Sequence, residues 1–260
     1  MKIKFATWNI ACGAEGYYGQ AIDDIARCIS DEAIDICVLQ EVDRFARRSK
    51  FIDFPEHLSK ATALFPYYGH SLLLPSEKEG SPEREYGNCI LSRWPLSTVK
   101  RCFLFPVDYS QATDRREKEN RSALIANLRL DTQSIWIAAT HLAYSPDLVS
   151  SSVRKQQIQK LISEMENTIP LNDPIILGGD FNTAASGEDM NLLNEKLTIQ
   201  TGSVGFTWPL GGGMAEGRPP FITIDHIFTR GASVELIKRM DMATLSDHSL
   251  VVANINIPHI

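Results

Sequence analysis

The chain contains no run approaching the roughly 18 consecutive apolar residues that a membrane span requires. No apolar leader precedes the first predicted strand, which begins almost at once in "MKIKFATWNI", so a cytoplasmic protein is expected. Cysteines are few: Cys12, Cys28, Cys37, Cys89 and Cys102. Their count is odd, their spacing scattered, and no C-x-x-C occurs, which argues against a disulfide framework or a zinc knuckle. Cys28, Cys37 and Cys89 lie in apolar runs and read as buried reduced thiols, and Cys12 has no adjacent base or cationic cluster to activate it. Neither H-E-x-x-H nor G-x-x-x-x-G-K-[ST] is present, which leaves no zincin helix and no Walker loop. A strong positive balance is also missing. The net charge of −6 weighs against tight non-specific binding of nucleic acid, which depends on neutralising phosphates, although a local basic patch can outvote the sum.

What remains is an ordinary globular composition: 260 residues, 43% hydrophobic and 22% charged, enough to bury a sizeable core. No repeat, low-complexity tract or Gly/Ser linker divides the chain, so one domain over residues 1–260 is expected. Strands are predicted in "KIKFATWNI", "IDICVLQ" (ending at Glu41), "GNCILSRW", "LSTVKRCFLF", "RSALIANLRL", "SIWIAATHL", "PIILGGDF", "FITIDHIF", "SVELIKRM" and "HSLVVANINI". Helical periodicity marks "YGQAIDDIARCISDE", "FPEHLSKATALF" and the serine-capped "SSVRKQQIQKLISEME". Many clustered strands and few helices fit an α/β protein with two stacked sheets and helices on the outer faces better than one doubly wound sheet. Loops 42–54, 75–86, 106–119, 143–150 and 209–220 are long, as functional loops are.

Polar residues gather at the ends of these strands: Asn9, Glu41, His141, Asp180 and Asn182, with Asp225 in "ITIDHIF" and Asp247 and His248 ahead of the last strand. Asp180 and Asn182 are two apart and point the same way if the chain is extended there. Glu, Asp and Asn are hard oxygen donors that suit Mg²⁺ or Mn²⁺ and not zinc. A hard cation on a phosphoryl oxygen offsets transition-state charge, a carboxylate can deprotonate water, and a histidine held by a carboxylate can donate to phosphate. The set describes metal-assisted hydrolysis of a phosphate ester.

With "TWNI", "LQEV", "GNCILSRWP", "THL", "GDFN", "TWP", "IDHIF" and "LSDH" in this order over nearly the whole chain, the sequence resembles the endonuclease/exonuclease/phosphatase superfamily. The resemblance implies a four-layer α/β/β/α sandwich and Mg²⁺-dependent phosphoester hydrolysis. It implies Glu41 as principal metal ligand with Asn9 beside it, and Asp180 orienting the attacking water. Asn182 would hold the phosphate. Asp225 would pair with His248, and Asp247 would lie at the metal or orient a neighbour. It places His141 against the phosphate or leaving group, where the abasic-site endonuclease branch usually has tyrosine. It also implies a phosphate-facing Arg121 and Asn88 as a support for His141. His226 departs from the common pattern and should face away from Asp225.

Taken alone, His141 reads as a satisfied core histidine, Asp180 as a turn residue, and Arg121 as a surface-pairing arginine. The coincidence of eight positions is what favours the site. Trp8, Trp94 and Trp208 read as packing. The loop "EVDRFARRSKFID" carries Arg44, Arg47, Arg48 and Lys50 with Phe45 and Phe51 interleaved, and two readings stand: substrate recognition, with Arg47 and Arg48 binding phosphate, or a solvated loop. "PLGGGMAEGRPP" reads as a flap bringing Arg218 near substrate. The expected partner is a small or lipid-linked phosphate ester. A nuclease of the same mechanism and a catalytically silent binding protein are the alternatives.

Overall fold

The structure is a computed structural model and describes residues 1–13, 22–130, 133–209 and 221–258. Its first sheet has strand order β11-β12-β1-β2-β4-β3 and is built from β1 (Lys2–Asn9), β2 (Ile36–Arg44), β3 (Phe65–Leu74), β4 (Arg84–Ser92), β11 (Ser233–Met240) and β12 (Leu250–Asn256). The second sheet, in order β5-β6-β7-β8-β10-β9, takes β5 (Leu96–Phe103), β6 (Ser122–Leu130), β7 (Gln133–His141), β8 (Ile175–Asp180), β9 (Thr198–Ile199) and β10 (Asp225–Arg230). Each sheet is mixed: one central pair is parallel, β1 with β2 and β7 with β8, and the other pairs are antiparallel.

Three apolar clusters separate four layers. Phe5, Val38, Ile90, Leu124, Ile137 and Ile176 fill the space between the sheets. Gly178 marks their closest approach, since a Cβ there would stand 2.8 Å from Val38 and 2.9 Å from Phe5. Outside the first sheet, α1 (Ile22–Asp31) buries Ile22, Ile25, Ala26 and Ile29 at helical spacing, alongside α2 (Phe54–Thr62). Asp53 caps α2 by accepting from Glu56 N at 3.3 Å, and Ala63 ends it with a left-handed φ of 57°. Outside the second sheet lies α3 (Ser152–Thr168), opened by Ser151 Oγ, which accepts from Arg154 N. Among the described residues, no helix is long and apolar enough to cross a membrane.

The expected layers and all but two of the strands match. Strand β3 was not expected: "FPYYGHSLLL" has a proline near its start and no clean alternation, because it is an edge strand with only Gly69 and Ser71 buried. The two-residue β9 gives no periodic signal. β2 does not end at Glu41 but continues to Arg44 through a register shift between Leu39 and Val42. The loop after it is correspondingly shorter, and it is drawn in by Arg44, whose guanidinium pairs with Asp53 at 2.6 Å and Glu85 at 3.0 Å. The start of the first predicted helix, the 210–220 stretch and Arg218 lie outside the described residues.

Candidate active site

The parallel pairs set the site. Residues Asn9 and Gln40 are register partners at one end of the first sheet, and His141, Asp180 and Asp225 are partners at one end of the second. The ends face each other across the sandwich, and Asn9 Nδ2 crosses the gap to donate to Asp180 Oδ2 at 2.9 Å. The same nitrogen donates to Glu41 Oε1 at 3.1 Å. Glu41 reaches this position because it sits in the β2 bulge with a φ of 58°, and a bulge re-aims the side chain it carries. Asn182 also departs from expectation. The strand stops at Asp180 and Asn182 has a φ of 52°, so a left-handed turn, not an extended chain, brings the two together; Asn182 N donates to Asp180 Oδ1 at 2.9 Å.

His248 and Asp225 form a buried pair, with Nδ1 2.9 Å from Oδ2 and 3.1 Å from Oδ1. Burial opposes charge on His248, but Asp225, Asp180 and Asp247 outweigh it and raise its pKa to about 10. Its Nε2–H is therefore a charged donor, 3.8 Å from Asp180 Oδ2. Asp180, in turn, is raised to about 7, chiefly by burial and further by Asp225, against the lowering influence of His248 and the Asn9 hydrogen bond. The atoms of Asp180, Asp225 and His248 lie within 4.8 Å of one another, a spacing a metal could bridge. Both Asp225 oxygens already serve His248, so this trio is better described as an ion pair beside a carboxylate than as a cation cage.

His141 behaves oppositely. Burial, then Arg121, then His248 push its pKa well below the usual value, so the ring is neutral. Arg121 Nη1 lies 3.2 Å from Nδ1, and an arginine can only donate, so Nδ1 accepts and Nε2 carries the proton. Nε2 lies 3.5 Å from Asp180 Oδ2, the oxygen His248 also faces, and 3.2 Å from the Asn182 amide, which donates to Leu142 O at 3.0 Å. Two imidazole Nε2–H groups, one charged and one neutral, thus converge on one point.

Arg121 does what was expected of Asn88. It steadies His141 and pairs with Glu119 at 2.8 Å. Asn88 does not hydrogen-bond His141: its Nδ2 donates to Ser122 O at 2.8 Å, and its buried Oδ1 has no partner. Asp247 accepts from Trp208 Nε1 at 3.1 Å and stands 4.0 Å from His248 Nε2. Arg47 and Arg48 are engaged by other side chains and backbone and do not bond His141, Asp180 or His248. Arg47 bonds the Glu77 backbone carbonyl at 2.9 Å, and Arg48 grips Asp43 with two bonds of 2.8 Å while covering the Tyr86 ring. His226 faces away from the site as expected, between Thr201 Oγ1 at 2.8 Å and Thr183 O at 2.9 Å.

Several supports gave no usable sequence signal. Ser246 Oγ donates to Asn9 O at 2.7 Å and accepts from His248 N at 3.0 Å, tying the two sides together. Thr207 Oγ1 accepts from Asp225 N at 3.1 Å. Trp8 Nε1 donates to His248 O at 3.2 Å. Cys12 lies 3.4 Å from Glu41 Oε2, and burial followed by the charges of Glu41 and Asp43 raises its thiol pKa. Behind the His141 turn, Arg154 and Asp189 form a fully buried pair at 2.8 Å, and Asp189 also accepts from Ser151 N.

The arrangement has relatives. Escherichia coli (strain K12) YbhP is 25% identical over 190 residues, covering 68% of this chain and 65% of YbhP, so the match spans less than two thirds of that relative. The structure of an endonuclease/exonuclease/phosphatase from Beutenbergia cavernae DSM 12333 superposes with a TM-score of 0.75 at 22% identity, over 98% of this chain and 72% of that one. D. rerio TDP2, complexed with a single-strand DNA product, gives a TM-score of 0.68 at 15% identity over 98% of this chain and 99% of that one. These likenesses are of fold. The sequence model of the Endonuclease/Exonuclease/phosphatase family matches residues 6–248, from the first strand to His248 itself, and the chain belongs to that family, whose members are generally hydrolases of phosphoester bonds.

Proposed function

We propose that the protein is a Mg²⁺- or Mn²⁺-dependent phosphoesterase that directs water at phosphorus, with a small or lipid-linked phosphate ester as substrate. The observation that carries this reading is the convergence of the His141 and His248 Nε2 atoms on Asp180 Oδ2, at 3.5 and 3.8 Å, beside Asn9 and Glu41.

Glu41 and Asn9, with Asp247, are the residues to hold the metal. Their donors are all oxygen, which fits a hard cation. Asn9 now turns its amide nitrogen toward two carboxylates. Turned over, it would offer its carbonyl oxygen between them, an arrangement that a cation stabilises. Such a cation would supply Lewis-acid stabilisation of phosphoryl charge. The chain's own groups do the rest. Asp180, with a pKa of about 7, is poised to take a proton from water near neutral pH. His248 offers a charged N–H and His141 a neutral one to the phosphoryl or leaving oxygen. Arg121, donating to Nδ1, holds His141 in that role. The net charge of −6, with Arg44, Arg47 and Arg48 engaged by Asp53, Glu85, Glu77 and Asp43, favours a small or lipid-linked substrate over a polynucleotide. The nuclease reading is kept because TDP2, bound to its DNA product, shares the fold.

The test is hydrolysis of bis(p-nitrophenyl) phosphate, sphingomyelin, phosphoinositides, RNA, and single- and double-stranded DNA with Mg²⁺ or Mn²⁺, before and after chelation. Metal-dependent turnover of the small or lipid esters is expected. Faster turnover of a polynucleotide would transfer the assignment to the nuclease reading, and turnover that survives chelation would overturn the metal.

A further inference from the structure

A ladder of planar groups leads outward from His248. The Trp208 ring centroid is 6.2 Å from that of His248, and Tyr144 meets Trp208 edge-on at 6.3 Å. Arg116 Cζ then stands 4.0 Å over the Tyr144 ring. Tyr144 lies three residues beyond His141 in a turn pinned at both ends. Leu142 N donates to Asp180 O at 2.9 Å, Ala143 N to Gln157 Oε1 at 2.8 Å, and Leu148 O accepts from Thr183 and Ala184. The half-buried Tyr144 ring therefore keeps a fixed place relative to the phosphate donors.

Arg116 is held flat as well. Its Nε and Nη2 donate to the two Asp114 oxygens at 2.9 and 2.7 Å, and its side chain is 52% exposed. Asp114 offsets the charge in the plane of the guanidinium and Tyr144 covers one face. A guanidinium already met by a carboxylate has little pull on a second phosphate. What it presents is its remaining planar face, which suits an aromatic ring. A straight alkyl chain gains nothing specific from such a surface.

We propose that Tyr144 and Arg116 form a stacking subsite for an aromatic ring carried, on a short linker, by one ester group of the substrate. This rests on the phosphoesterase reading and narrows its substrate class to ring-bearing phosphate esters. The competing account is that Tyr144 only packs against Leu148, Trp208 and Ile224.

Calorimetry with 2-phenylethylphosphonate and butylphosphonate separates the two accounts, since both carry an uncleavable carbon–phosphorus bond and only one carries a ring. In the presence of Mg²⁺ the parent should bind the aryl phosphonate roughly tenfold more tightly, the order that one aromatic contact contributes. Tyr144→Phe should keep that preference. Arg116→Gln, which removes the guanidinium face, should reduce it to less than about twofold with butylphosphonate affinity unchanged, and Tyr144→Leu, which preserves the apolar packing but takes away the ring behind the guanidinium, should lower it part of the way. Equal affinities in the parent, or an undiminished preference in Arg116→Gln, would overturn the subsite alone. Failure of both phosphonates to bind the parent would overturn the phosphate site itself, and the subsite with it.

Discussion

Asp225→Asn keeps the shape of the side chain and removes the charge that holds His248 protonated. The rise of His248 from an ordinary 6.5 to about 10 corresponds to about 5 kcal/mol of preference for imidazolium, maintained against burial. Asp225, at 2.9 Å, is the nearest carboxylate contributing to it. Without Asp225, burial is opposed only by Asp180 and Asp247, so the charged form loses its nearest support and the donor is weakened. Loss of one such donor typically lowers kcat by ~10²–10³, roughly 3–4 kcal/mol. His248→Ala should cost a similar factor, and the double variant no more than about tenfold beyond either single variant, because the residues act as one group. His141→Ala should also be severe, but should combine with Asp225→Asn more nearly multiplicatively, since its hydrogen bond runs to Arg121 and not to Asp225. The assay is a double-mutant cycle on bis(p-nitrophenyl) phosphate at saturating metal, with folding followed by circular dichroism. Full multiplicativity for Asp225 and His248 would refute the reasoning.

Glu41→Gln should abolish most turnover and weaken Mg²⁺ binding with the fold intact; unchanged affinity by calorimetry would remove Glu41 from the ligand set. Asp189→Asn strands the buried Arg154 charge and should destabilise by about 3–5 kcal/mol, lowering Tm by roughly 10 °C. Arg154→Met with Asp189→Leu should restore much of that, and a single-variant Tm within about 2 °C of the parent would show that the pair is not worth what its burial implies. His226, held by burial at a pKa of about 4, remains neutral in the fold while the unfolded chain's histidine protonates near 6.5. Stability contributed at neutral pH is therefore lost as pH falls from about 6.5 toward 4, by about 2 kcal/mol between pH 7.5 and 5. In urea unfolding at both pH values, His226→Gln should show a loss smaller by that amount, and parallel pH dependence would contradict the assignment.

The candidate site was legible because the proposed hydrolytic chemistry restricts residue type: Asn9, Glu41, His141, Asp180, Asn182, Asp225 and His248 could be chosen for their donors, and the strands carrying them announce themselves by apolar runs. How they come together was not legible. Glu41 depends on a bulge and Asn182 on a left-handed turn, and neither position is occupied by glycine, the residue that usually marks such geometry. Arg121 takes the support of His141 that was expected of Asn88, because that support depends on cross-strand placement, which local sequence does not specify. The arginines of the 44–51 loop looked available because Glu77 and Glu85, which engage Arg47 and Arg44, come from another part of the chain, and because the pairing of Arg48 with the nearby Asp43 depends on how the chain turns between them. Tyr144 and Arg116 meet across 28 intervening sequence steps, with no motif to join them.

The order of strands has a consequence for when the candidate site can form. The second sheet is drawn from one uninterrupted run of chain, β5 to β10, whereas the first is started by β1 to β4 and finished only by β11 and β12. β12 inserts between β1 and β11, and His248 lies immediately ahead of it. A ribosome that has already made Asn9, Glu41, His141 and Asp180 has therefore made most of the site without being able to close it. The emerging chain exposes the edge of β1 until β12 arrives, and the candidate site stays open until residue 256 has left the exit tunnel.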